Sequence, residues 1–209
     1  MMETSSHLSE AVELGDVSKV IQLLTDGVDV NSPSGLNGET PLIEAALHGN
    51  VDILTLLLSC PCINVNAQDL SGQTALLVAS CHGHASFVSA LLQCPDTDPN
   101  IADWRGASPL LASLMAGQHQ VAQILLASAS VQWNTSSHDG HTPLLVGNRI
   151  QWVMPFQMRF SLADNLTKLR SIKCKNYTEE LNCKKQCLQF ITFYPSSTKY
   201  FVSWSEGIL

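Results

Sequence analysis

The apolar residues in the first two thirds of the chain recur with a fixed period of 34. Leu8, Leu42, Leu76, Leu110 and Leu144 follow it, and the pairs Leu23–Leu24, Leu57–Leu58, Leu91–Leu92 and Leu125–Leu126 close successive units. The punctuation keeps the same register: Gly15, Gly49, Gly83 and Gly117 form one series, Gly38, Gly72, Gly106 and Gly140 another, and Thr40, Thr74, Ser108 and Thr142 a third. Independent series sharing one spacing identify an internal repeat, and a repeat of this length predicts stacked units rather than one closed core.

Within a unit the apolar spacing predicts two helices. Thr40 precedes Leu42, Ala45 and Ala46, and Gly49 stops that stretch as a helix cap does. Val51, Leu54, Leu57 and Leu58 then recur at steps of three and four, one face of a second helix. A turn-rich loop from Ser59 to Gly72 leads into the next unit. The small alanines let neighbouring helices approach closely. The expected fold class is all-α: a solenoid of helix-turn-helix units joined by β-hairpin-like loops, in which each unit buries its face against the next.

Thr40-Pro41-Leu42, Ala45-Ala46, Gly49, Val51, the leucine pair and Val65-Asn66 together resemble the ankyrin repeat. Ser108-Pro109-Leu110 and Thr142-Pro143-Leu144 match its opening, and His82-Gly83-His84 is similar to its Gly-His turn. The sequence departs from the pattern after Thr-Pro-Leu, where Ile43, Leu77, Leu111 and Leu145 replace the family's histidine and remove a polar group from the helix start. The resemblance covers residues 5 to 146, with units near 5–37, 38–71, 72–105 and 106–139 and a partial unit at 140–146. It breaks at Gly147, where an alanine of the fourth first helix is expected.

Charge and aromatic content change at the same place. Residues 1 to 147 hold 2 Lys/Arg and 14 Asp/Glu, whereas residues 148 to 209 hold 9 and 4. Ten of the thirteen aromatic residues lie in this basic second part. Residues 147–209 are therefore expected to be an irregular, poorly ordered tail or a substitute C-terminus ending a longer array; a small second domain and a terminal cap are the alternatives. The formal charge of −7 argues against a broad phosphate-binding face, so nucleic acid is not the expected partner. No apolar run approaches the length of a membrane span, and the N-terminus lacks the pattern of a secretory signal. Seven cysteines, odd in number and scattered, fit reduced thiols. The expectation is a cytoplasmic chain, with the nucleus as the alternative compartment, that works as a monomer without a membrane.

No pattern supports catalysis, a cofactor or a metal. His82 and His84 straddle the recurring glycine, where the repeat accounts for both. Cys174, Cys183 and Cys187 are too widely and unequally spaced for structural zinc, and Cys60 and Cys62 are two apart, a spacing used by neither redox Cys-x-x-C sites nor zinc knuckles. Gly35-Leu36-Asn37-Gly38 lacks the Lys-Ser/Thr ending of a phosphate loop.

What remains is surface. The resemblance implies binding of a protein partner through hairpin tips and the inner, concave helix face. Repeat phase places Leu70, Trp104 and Arg105 at tips and Glu44, His48, His82 and Met115 on the inner helices, and these are the candidate partner-binding residues. Phase also marks Glu10, Glu13, Leu14, Leu47, Val78, Cys81, Ala112 and Ala116 as exposed inner-helix positions. The asparagines ending each loop, Asn31, Asn66, Asn100 and Asn134, suit turns because a short amide bonds nearby backbone. Leu23 to Asn31 and Leu58 to Asn66 also resemble the stretches at which ankyrin proteins are hydroxylated, making Asn31 and Asn66 candidates for that modification. The expected function is a non-catalytic interaction module or scaffold. Alternatives are a substrate-recruiting adaptor of a ubiquitin ligase, whose ligase-binding box would fall in residues 161 to 200, and a stoichiometric ankyrin-type inhibitor.

Overall fold

The computed structural model describes residues 2–35 and 37–149. The expected tail beyond Arg149, and with it any ligase-binding box, lies outside the described residues. The described residues all belong to one compact unit.

Helices alternate in two layers. The first helices of successive units, α1 (Met2–Glu13), α3 (Pro41–His48), α5 (Ala75–His82), α7 (Pro109–Met115) and α9 (Pro143–Arg149), pack side by side in order. The second helices, α2 (Val17–Thr25), α4 (Val51–Leu58), α6 (Ala85–Gln93) and α8 (His119–Ala127), form the other layer, each against its own first helix and its neighbours. Among the described residues there is no β-strand; the loops hold only the isolated bridges Ser34–Glu39 and Gln68–Thr74. Two of the expected hairpins are thus reduced to single bridged turns, and the loops around Asp103 and His138 hold no bridge.

Helices α3, α5, α7 and α9 each start at a hydroxyl. Thr40, Thr74 and Ser108 accept from the amides of Ile43, Leu77 and Leu111 at 3.4, 3.3 and 3.4 Å, and Thr142 accepts from Leu145 at 3.2 Å. The N3 position therefore needs no polar side chain of its own, and Ile43, Leu77 and Leu111 go into the core instead. Gly49 and Gly83 end α3 and α5 in the left-handed region, which a side chain would disfavour by about 1–2 kcal/mol.

The core repeats as the sequence does. Leu8, Leu42, Leu76 and Leu110 are fully buried, and between them Ala11, Ala45, Ala79 and Ser113 supply the small contacts that let first helices touch. The hydroxyl of Ser113 donates to the Leu110 carbonyl at 2.8 Å, so its burial leaves no unpaired polar atom. Gly147 occupies the same small position and is buried within α9, which continues three residues beyond the point where the repeat pattern stops at Val146. On the second helices Val20, Ile53, Phe87 and Val121 are buried, as are Leu125 and Leu126 of α8.

Candidate protein-docking face

Loop tips are tied to one another by backbone hydrogen bonds. The amide of Leu70 donates to Asn37 O at 2.9 Å, that of Trp104 to Ser71 O at 3.2 Å, and that of His138 to Arg105 O at 2.8 Å. Within a tip, one aspartate closes the turn. Asp69 Oδ1 accepts from the amides of Ser71 and Gln73 at 2.8 Å each, and Asp103 Oδ1 from Arg105 and Ala107 at 2.9 and 2.8 Å.

The tip side chains then lie over the glycine of the preceding tip. A Cβ added at Gly72 would sit 2.5 Å from Trp104 Cδ1, one at Gly38 3.3 Å from Leu70 Cγ, and one at Gly106 3.0 Å from His138 Cδ2. These glycines are required twice, by their positive φ and as seats for the next side chain. Seated in this way, Leu70 and Trp104 are nevertheless 61% and 70% exposed, and Arg105 beside the indole is exposed as well.

Inner-helix residues divide into three columns. Glu13, Leu47, Cys81 and Met115 make an exposed column, and Leu14, His48, His82 and Ala116 make a second. The third was expected to be exposed throughout, and the structure corrects this. Glu10 is exposed and Glu44 half-buried, but Val78 and Ala112 are buried: α3, α5 and α7 each lie between two first helices, and the short apolar side chains of Val78 and Ala112 are covered there while the longer Glu44 stays partly exposed. Glu44 Oε1 meets His48 Nε2 at 3.2 Å one helical turn on.

His82 and His84 stack with ring centroids 6.1 Å apart, but their hydrogen bonds point elsewhere. His82 Nδ1 faces Val78 O at 2.9 Å, and His84 Nε2 faces Leu47 O at 3.0 Å. The second contact belongs to a device the sequence reading did not find. Asp16 and Asn50 cap their own helices, accepting from Lys19 and Ile53, whereas His84 and Gln118 in the same register make no such cap. They reach back across the repeat boundary to Leu47 O and Cys81 O, lying over Gly49 and Gly83. Replacement of a short capping residue by a long side chain at a fixed repeat position was the available signal.

The loop asparagines also act across boundaries rather than locally. Asn31 Nδ2 donates to Cys62 O at 2.7 Å while its Oδ1 accepts from Asn64 N at 2.7 Å. Asn66 does the same with Asp96 O and Asp98 N at 2.7 and 2.9 Å, and Asn100 with Ser130 O and Gln132 N at 2.9 and 2.6 Å. Both ends of each amide are used, so Asn31 and Asn66 are inter-unit staples, and a modifying enzyme has to open them to reach the side chain.

Among the described residues no group of three or more His, Cys, Asp or Glu side chains is placed to hold a metal, and no helix is long and apolar enough to cross a membrane. Cys60, Cys62, Cys81 and Cys94 are free thiols. Burial pushes the Cys60 thiol above its ordinary range, and neighbouring Cys62 adds to the effect.

Comparison with known proteins agrees with this architecture. The family model for ankyrin repeats matches residues 8–103 in three copies. A 59-residue stretch is 48% identical to the 2-5A-dependent ribonuclease of Mus musculus; it makes up 28% of this chain and 8% of that protein, so the chain matches well under a tenth of that relative's length. Sequence signature and helix layering coincide over the matched units, and residues 8–103 are an array of ankyrin repeats.

Proposed function

We propose that the chain is a non-catalytic interaction module, a scaffold or adaptor, that docks a partner protein on the loop tips and the exposed columns of the first helices. Ankyrin repeats mediate protein–protein interaction. The observation that carries the reading here is Trp104, whose indole is 70% exposed although its amide is bonded to the preceding tip and its ring lies on Gly72. An aromatic group already held rigidly loses little conformational entropy when a partner covers it, which is why such residues concentrate binding energy. Leu70 at the preceding tip and Met115, 58% exposed on α7, extend the apolar surface. Free thiols support a reducing compartment such as the cytoplasm or nucleus. The overlap with the ribonuclease supports a shared repeat and lends nothing to a nuclease reading.

The test is quantitative mass spectrometry of proteins that co-purify with the full chain, with Trp104→Ala and, on the other helix layer, Gln93→Ala. Specific partners should be lost with the first variant and kept with the second. Partners retained by Trp104→Ala, or lost only with Gln93→Ala, contradict the reading.

A further inference from the structure

The proposed docking face is chemically polarised from one end to the other. On the first helices the carboxylates, Glu10, Glu13 and Glu44, all belong to the first two units, and the Glu44 carboxylate is shared with His48; at the tips Asp69 and Asp103 are half-buried and accept from tip amides, and Asp139 is exposed. From the second unit onward the exposed column is apolar or soft: Leu47, Cys81 and Met115, with Trp104 at the tip nearby in sequence. Helices α1, α3, α5 and α7 contain no Lys or Arg, and the exposed cation at a described tip is Arg105, beside Trp104 at the apolar end.

We infer that this face takes a bipartite protein segment, with a basic cluster over units one and two and large apolar residues over units three and four. The inference rests on the docking reading above and adds the partner's chemistry and direction. Charge sets the direction: Lys or Arg side chains are attracted to Glu10, Glu13 and Glu44, a set of first-helix carboxylates that units three and four do not have, so the reversed placement loses that attraction. Burial sets the other half, because acidic or polar residues laid against the apolar area of Met115 and Trp104 lose their own hydration with no hydrogen bond in return. Neighbouring helices pack about 8–10 Å apart, so four first helices span about 25–30 Å. An extended segment of about nine residues, or a helix of about eighteen, covers that length.

The test is selection of random peptides of about twenty residues displayed on phage against the immobilised full chain, long enough for either form, followed by anisotropy measurements with the enriched peptides. The variants are the triple change Glu10→Gln, Glu13→Gln and Glu44→Gln and, separately, Met115→Glu, each checked for an unchanged helical melt. Enriched peptides should carry separate basic and apolar blocks. Their affinity should fall about tenfold or more with either variant, and their salt dependence should flatten only in the glutamine triple. Peptides that bind this face, losing affinity with Met115→Glu or Trp104→Ala, but carry no basic block overturn the inference and leave the docking reading standing. Peptides indifferent to all of these changes overturn both. A selection that enriches nothing also overturns the inference. If the glutamine triple unfolds, the single change Glu13→Gln on α1, tested with the salt series, decides the charge half.

Discussion

Gly72 offers the sharpest test of how the tips are built, because the molecule contains its own control. Gly27 and Gly72 have nearly the same backbone, φ 77° and 76°, but a Cβ at Gly27 meets nothing within 4 Å. At Gly72 it would lie 2.5 Å from Trp104 Cδ1, 2.9 Å from Nε1 and 3.0 Å from the Trp104 amide nitrogen, which donates to Ser71 O. Both Gly→Ala changes incur about 1–2 kcal/mol for the left-handed conformation, offset by about 0.4–1 kcal/mol from the stiffer unfolded chain. Gly27→Ala should therefore cost about 1.5 kcal/mol or less. Gly72→Ala adds the displacement of the indole and of the Trp104 amide, about 1–3 kcal/mol on the scale of overpacking, for a total near 1–4.5 kcal/mol. The excess belongs mostly to the indole, so in a Trp104→Ala background the Gly72→Ala cost should drop by at least about 1 kcal/mol. Urea denaturation followed by circular dichroism measures all four corners of the cycle. Equal costs for Gly27→Ala and Gly72→Ala, or a Gly72→Ala cost unchanged by removing Trp104, refute the seat.

Three further outcomes follow from the inter-unit contacts and the thiols. Asn66→Ala removes a donor and an acceptor that join two loops at an exposed site, which should lower stability by about 1–2 kcal/mol in urea melts and speed hydrogen exchange at the Asp98 amide. His84→Ala, which deletes the contact to Leu47 O and empties the space over Gly49, should cost about 1–2 kcal/mol, against under about 0.5 kcal/mol for His48→Ala, whose partner is an exposed one-turn pair. Because burial raises the Cys60 thiol, it carries less thiolate than an unperturbed thiol at mildly alkaline pH, and timed iodoacetamide labelling read by peptide mass spectrometry should modify exposed Cys62 before Cys60.

The repeat made the fold legible, since a period of 34 in leucines, glycines and hydroxyl residues fixes the helix starts, stops and stacking order at once. Phase was less reliable for exposure. Extending the pattern from Glu10 and Glu44 placed Val78 and Ala112 on the surface, yet their own change from charged to apolar already indicated burial. The inter-unit bonds were beyond a local reading. Asn31, Asn66 and Asn100 find their partners 30 to 33 residues ahead, whereas turn chemistry considers neighbours within a few residues. His84 and Gln118 bond 37 residues back, and only alignment of the repeats shows that they replace the caps made by Asp16 and Asn50. The tips were read correctly as tips, but the seating of Leu70, Trp104 and His138 on glycines one unit away depends on stacked geometry.

The central claim is that a partner covers the tips and the first-helix columns. A photo-crosslinking residue placed singly at Leu70, Trp104 and Met115, and as controls at Ser86, Gln93 and Gln120 along the groove between α6 and α8, tests it most directly in cells expressing the full chain. The account predicts light-dependent adducts of one common mass from the first three positions and none of that mass from the controls. Adducts confined to the α6–α8 positions, or spread equally over both helix layers, would contradict it.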